Sequence, residues 1–380
     1  MSVSRNSSAR PMTSSQKRHW STSVSLQEND EKFGRYTLNT SMLVDKAKKG
    51  KVVKEIQFPA ENIGLYAVRF NSDASKIIAS YGTGSIQVID TESEIPLYIV
   101  KPPTSNSYPI VAIRCSNYAP NVFFAAGICG NIYACHFKEN SFKILAREKS
   151  NEINAMDIDD RTELLASGGK DGTIRLYDTR VGKLISKLQK SNRLTDLDAI
   201  NFHTRRIFSI KFHPKRQNIF LSGGWDDCVK IWDTRNANGC VRNIEGPHIC
   251  GDAIDVTDSL VLTGQWTAEN ALQLWDFGSG KLVSNIVPTN RVQTLDGEFL
   301  FCCQFLKCEA LDECVVAGGS GQSYLDIINL NDERILYMFK VNKLIQTLDS
   351  SNNGKIVYGG MDQCIRIVDF DVEGSNVQLQ

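Results

Sequence analysis

The stretch Leu165–Arg180, LASGGKDGTIRLYDTR, returns in altered form as Phe220–Arg235, FLSGGWDDCVKIWDTR. Each copy runs from an apolar pair through small residues to a tight turn carrying Asp. Apolar and polar residues then alternate up to an aromatic–Asp pair. Two alternating runs flanking such a turn describe strand, turn, strand. A unit of this kind cannot bury both faces of its sheet alone. Copies must stack on one another, so the repeat decides the fold before any single residue does.

Weaker copies fill the chain. The end marker recurs as Ile89-Asp90, Cys135-His136, Tyr177-Asp178, Trp232-Asp233, Trp275-Asp276, Ile328-Asn329 and Val368-Asp369, at intervals of 46, 42, 55, 43, 53 and 40 residues. Each marker follows a small-residue strand end, such as Ala79-Ser80, Thr263-Gly264 or Gly359-Gly360, and a further strand such as Tyr66–Phe70 or Ile207–Phe212 precedes each. These units resemble the WD40 repeat, a four-stranded propeller blade of roughly 40–45 residues. The resemblance implies an all-β fold, a seven-bladed WD40-type β-propeller.

The last unit stops at Val368-Asp369-Phe370 with only a short tail, so it lacks an outer strand. Near the N-terminus GKVVKEIQF (50–58) repeats the wording of the outer-strand segment GKLISKLQ (182–189). Lys51–Phe58 is therefore expected as the outer strand of blade 7, closing the ring and protecting its edges. Residues 1–49, rich in Ser and basic, are expected to be a disordered tail. Residues 50–376 are assigned to the propeller and 377–380 to a short C-terminal tail.

Composition narrows the function. At 42% apolar and 23% charged, the chain reads as an ordinary soluble globular protein. No apolar run approaches ~18 residues, so no membrane span is expected, and there is no secretory h-region. The 43 basic and 43 acidic residues cancel, which argues against nucleic acid as the partner. Residues 1–60 carry a charge of +6, enough only for weak phosphate attraction. No acid precedes Glu28, but scarce Leu and Pro11 argue against a mitochondrial targeting helix. A cytoplasmic or nuclear site is expected. The 11 cysteines, an odd number, suit core thiols in a reducing compartment. The densest group, Cys302, Cys303, Cys308 and Cys314, lacks paired zinc-ligand spacing, so neither metal nor cofactor is expected.

Three acids, Asp171, Asp226 and Asp362, occupy the turn between second and third strands. The family resemblance implies that they bond neighbouring loop groups and fix the blade. Blades 1, 2 and 6 have Thr83, Cys129 and Gln322 there, and blade 5 has an insertion. The family's Gly-His partner is mostly missing, with His248 the nearest candidate. The preceding residue points, by analogy, to the channel rim on the narrow face: Gly82, Ile128, Lys170, Trp225, Trp266, Gly321 and Met361. Of these, Trp225, Trp266, Ile128, Lys170 and Met361 are the expected partner-binding residues, because Trp is enriched in binding hot spots. The plainer reading is that each large side chain lids its own blade. The long segments Ser191–Arg206 and Arg291–Glu298 flank the Trp pair and are read as functional or as tolerated insertions.

On the opposite face the boxes end Tyr177-Asp178-Thr179-Arg180 and Trp232-Asp233-Thr234-Arg235. They resemble the boxes of WD40 substrate receptors of cullin-4 ubiquitin ligases, which implies adaptor docking through Arg180 and Arg235. The alternative is an internal Asp-x-Arg ion pair closing the turn. Catalytic motifs are absent. Asp157, Asp159 and Asp160 read as a solvated turn and His213 as structural. The expected function is a non-catalytic scaffold that binds protein or peptide partners in a multiprotein complex, with the cullin-4 receptor as alternative.

Overall fold

The computed structural model describes residues 48–49, 52–100, 108–190, 200–291, 297–308, 311, 313–321 and 324–369. The propeller lies within the unit Val44–Gln380. The N-terminal tail before Lys48, Gln322 and the C-terminal tail fall outside the described residues.

Seven antiparallel blades follow in chain order. The inner strands are Leu65–Phe70, Ile110–Cys115, Ile153–Ile158, Ile207–Phe212, Ile254–Val256, Leu300–Phe305 and Ile345–Ser350. Each packs on the next, and the seventh packs on the first. Every marker pair ends a third strand, as at Asp90, Asp178, Asp233 and Asp369. Connections between second and third strands and between blades share one face, called the upper face here. The other turns share the lower face.

The core is distributed between blades rather than within them. Blade 4, for example, gives Phe220 and Trp232 to a cluster with Ala155 and Leu176 of blade 3. It gives Leu221 and Val229 to another with Ile254 and Val261 of blade 5. Alternation along each strand produces this two-sided burial.

Closure follows the sequence expectation. Lys54–Gln57 pairs antiparallel with Cys364–Asp369, with Ile56 opposite Ile365. Ile56 and Phe58 are buried beside Leu65 and Val68, which ties this strand to both the last blade and the first. Earlier in the chain, the two-residue strand Lys48–Lys49 pairs parallel with Arg334–Lys340 and makes blade 6 five-stranded. The repeat pattern carries no signal for that strand.

A local irregularity shapes the channel. In six inner strands the register shifts between the first and third residues, as between Ile207 and Ser209. The bulged second residue turns toward the channel. Tyr66, Val111, Asn154, Phe208, Phe301 and Gln346 therefore line its upper end, and Asp252 supplies the blade 5 wall.

Candidate functional site

A belt of charge crosses the middle of the channel. The fifth inner-strand residue is Arg69, Arg114, Asp157, Lys211, Gln304 or Asp349 in blades 1 to 4, 6 and 7, and Asp255, the second residue of the short blade 5 strand, joins them. Arg69 and Arg114 both reach across the ring to Asp252, the latter at 2.9 Å, and Arg114 Nε also donates to Asp157 at 2.6 Å. Lys211 pairs with Asp255 at 3.1 Å. Burial works against ionisation of Asp252, but Arg114, Arg69 and Lys211 outweigh it and hold its carboxyl at about 2. The belt also staples neighbouring blades. Phe70 N–H donates to Asp349, Phe212 N–H to Asp157 and Phe305 N–H to Asp255, at 2.9, 2.7 and 2.9 Å. Asp157 is thus buried belt, not the solvated turn residue read from the sequence, and Asp159 is also buried, accepting from the N–H groups of Glu163 and Leu164. The reading failed because a repeat pattern shows which residues face the channel but not what they meet across it.

Above the belt the wall turns aromatic. Trp225 lies 5.1 Å, centroid to centroid, from Phe208, and its Nε1–H donates to Cys250 Sγ at 3.1 Å. Trp266 stands on Phe299 and Phe301, at 5.4 and 6.3 Å. Despite this backing the two indoles keep 40% and 43% of their surface exposed. Phe208 and Phe301 line the channel, so each Trp extends the channel wall outward on adjacent blades. Arg206 lies over the Trp225 ring at 5.8 Å and pairs with Glu152 at 2.6 Å. Lys170 is exposed and pairs with the same Glu152 at 2.6 Å. Ile128 lines the upper cavity. Met361 is half-buried, and a Cβ on Gly64 would meet its sulfur at 2.5 Å, so it packs close against the first blade.

The turn acids differ from one another. In blade 4, Asp226 accepts from Thr204 N–H at 2.9 Å and pairs with His203 Nδ1 at 2.9 Å. His203 Nε2 bonds Ser222 Oγ at 2.6 Å, and Trp232 Nε1–H donates to the same oxygen at 2.7 Å. His203, in the segment read as a functional insertion, is therefore the missing histidine. His248, the candidate chosen from sequence, instead pairs with Asp227 at 2.5 Å near the surface. Spacing was the unused signal. His203 stands 19 residues before Ser222, and Glu148 stands 19 before Ser167. Glu148 fills the same place in blade 3. It accepts from Asn151 Nδ2 at 2.6 Å, Tyr177 OH at 3.2 Å, Arg175 at 3.1 Å and Ser167. Asp171 completes that network through Arg175 at 2.6 Å. Asp362 pairs with Arg366 at 2.5 Å in blade 7.

The other long segment, whose residues 292–296 lie outside the described residues, is held at its ends. Arg291 bridges Glu298 and Asp326, at 2.5 and 2.6 Å, all three nearly buried. His203, Asp226 and Cys228 place ligand atoms within 4.8 Å of one another. Both nitrogens of His203 are already bonded, so the group serves as a hydrogen-bond relay and offers no free imidazole for a metal. Burial pushes the Cys135 thiol up to about 12 and the Cys314 thiol to about 11, leaving these thiols protonated and inert.

On the lower face, Arg235 forks onto Asp233 at 2.8 and 2.6 Å, and Arg180 stands 3.6 Å from Asp178. Both internal pairs leave the guanidinium groups largely exposed, at 76% for Arg180 and 72% for Arg235.

Comparison with known proteins follows the same repeats. Residues 118–303 match the family described as Nucleolar protein 10-like, N-terminal domain, a β-propeller. Meiotic fizzy-related protein 1 of Schizosaccharomyces pombe is 24% identical over 269 residues, 67% of this chain and 57% of that one. The ribosome biogenesis protein WDR12 homolog of Caenorhabditis briggsae is 23% identical over 230 residues, 55% of this chain and 50% of that protein. Human diphthine methyltransferase is 36% identical over 75 residues, 20% of this chain and 14% of its own length. The chain thus spans about half the length, or less, of the curated relatives it matches. With its repeated boxes, seven blades and these matches, the chain is a seven-bladed WD40-type β-propeller.

Proposed function

We propose that this propeller is a non-catalytic interaction scaffold that binds a protein or peptide partner on its upper face, around Trp225 and Trp266. One observation carries the reading: two half-exposed indoles on adjacent blades, each set on a phenylalanine of the channel wall. Large aromatic rings fixed from below and open from above are what hot spots require, since little rotamer freedom is lost on binding. The relatives named for ribosome biogenesis and the nucleolus support work in a nuclear multiprotein assembly. The methyltransferase match covers fewer than two blades, so the repeat itself accounts for it.

The test is purification of the tagged full chain from its own cells, alongside Trp225→Ala with Trp266→Ala. The expected result is loss of co-purifying proteins with the melting temperature held within a few degrees. Retained partners, or collapse of the fold, would sink the reading. A second reading, cullin-4 adaptor docking on the lower face, is favoured by the exposure of Arg180 and Arg235 on neighbouring blades. It predicts adaptor capture that Arg180→Ala with Arg235→Ala abolishes.

A further inference from the structure

The upper end of the channel encloses a cavity of about 250 Å³. That is below the roughly 300–1,000 Å³ typical of sites for drug-sized ligands and far above a water's share of about 30 Å³. Its apolar wall comes from Tyr66, Val111, Ile128, Met156, Phe208 and Phe301. Two amide atoms in this wall, Asn154 Nδ2 and Gln346 Oε1, are shielded from solvent and have no hydrogen-bond partner. Such a group carries a desolvation cost unless something bonds it.

The floor is the ion bridge Arg69–Asp252–Arg114. Its carboxylate is engaged by both guanidinium groups, so a third cation finds no acceptor there and meets two positive charges. An anion would have to displace Asp252 from both arginines.

Resting on the upper-face reading above, we infer that the bound partner is a peptide segment that inserts one uncharged apolar side chain, of the size of Leu, Met or Phe, into this cavity. Asn154 donates to, and Gln346 accepts from, the peptide backbone on either side of that residue. The Trp225 and Trp266 rings cover its flanks. The self-neutralised floor makes the channel selective for neutral anchors and against Lys or Arg.

The test uses the full chain and a displayed library of random heptapeptides as probe. Enriched peptides are expected to share one aliphatic or aromatic residue, and its replacement by Lys weakens binding at least tenfold. Asn154→Phe, which fills the cavity, is expected to weaken binding tenfold or more while the protein melts normally. Gln346→Leu, similar in size, is expected to cost about fivefold, and it decides the matter should Asn154→Phe misfold. Enrichment of Lys or Arg anchors, or affinities unchanged in the cavity variants, would overturn the inference. If the Trp225/Trp266 variant loses these peptides while the cavity variants keep them, the upper face stands and only the cavity is wrong. If neither set of variants matters, or no peptide enriches, both readings fall.

Discussion

Blades 3 and 4 carry nearly the same box, and the residue that locks it stands at the same place in each. In blade 4 that residue is a histidine, relaying between Asp226 and the Ser222–Trp232 pair. In blade 3 it is Glu148, a fully buried carboxylate gathering donors from Ser167, Tyr177, Asn151 and Arg175. The third-strand cation changes in step. Arg175 faces Glu148 and Asp171, whereas Lys230 donates to Ile200 O at 2.7 Å and Asn243 at 3.1 Å, while its charge also helps to hold the Asp226 carboxyl down. One place is thus filled in blade 4 by an imidazole bridging a carboxylate and a hydroxyl, and in blade 3 by a carboxylate among four donors. The buried Glu148 has Arg175 beside it, while the two ring nitrogens of His203 serve a carboxylate and a hydroxyl at once.

This contrast can be broken by mutation. Glu148→Gln keeps the shape but leaves Arg175 only Asp171 and removes the charge-assisted bonds to a buried carboxylate, and it should cost about 3 kcal/mol in urea unfolding. His203→Asn should cost less, about 2 kcal/mol, because Asp226 keeps the Thr204 N–H bond and the Lys230 charge. Equal losses would mean that charge is not what separates the two blades.

Acid titration sharpens it. Burial works against Asp226, but the hydrogen bond and charge of His203 hold its carboxyl below the usual range. A carboxyl depressed on folding contributes stability in full above its unfolded value of about 3.9, lost as pH falls through the folded value. Unfolding midpoints of Asp226→Asn, followed from pH 5 downward, should therefore show a flatter acid limb than the parent. An unchanged slope would count against the relay. The smallest effect belongs to Tyr177→Phe, which keeps the buried ring and loses only the hydroxyl's bond to Glu148 at 3.2 Å. About 1 kcal/mol is expected, read by thermal melting.

Much of the architecture is legible in the sequence, because the repeat is a local pattern. Small residues before the turn, alternation after it and the Asp that ends the third strand act within one blade. Trp232, Tyr177 and even the closing strand Lys54–Gln57 could be placed from wording alone. His203 and Glu148 were readable in principle by counting back from the serine, but their segments show no pattern that announces them.

What the tertiary structure alone decided are the contacts that cross the ring. Arg69 and Arg114 meet Asp252 from blades 138 or more residues away, and Lys48–Lys49 joins a strand near residue 337. Phe301 of blade 6 becomes a platform for Trp266 of blade 5 only when the two blades meet. Periodicity encodes which face a side chain takes, since that depends on the strand's own pleat. Which partner it finds on that face depends on closure of the whole propeller, and no local pattern carries that information.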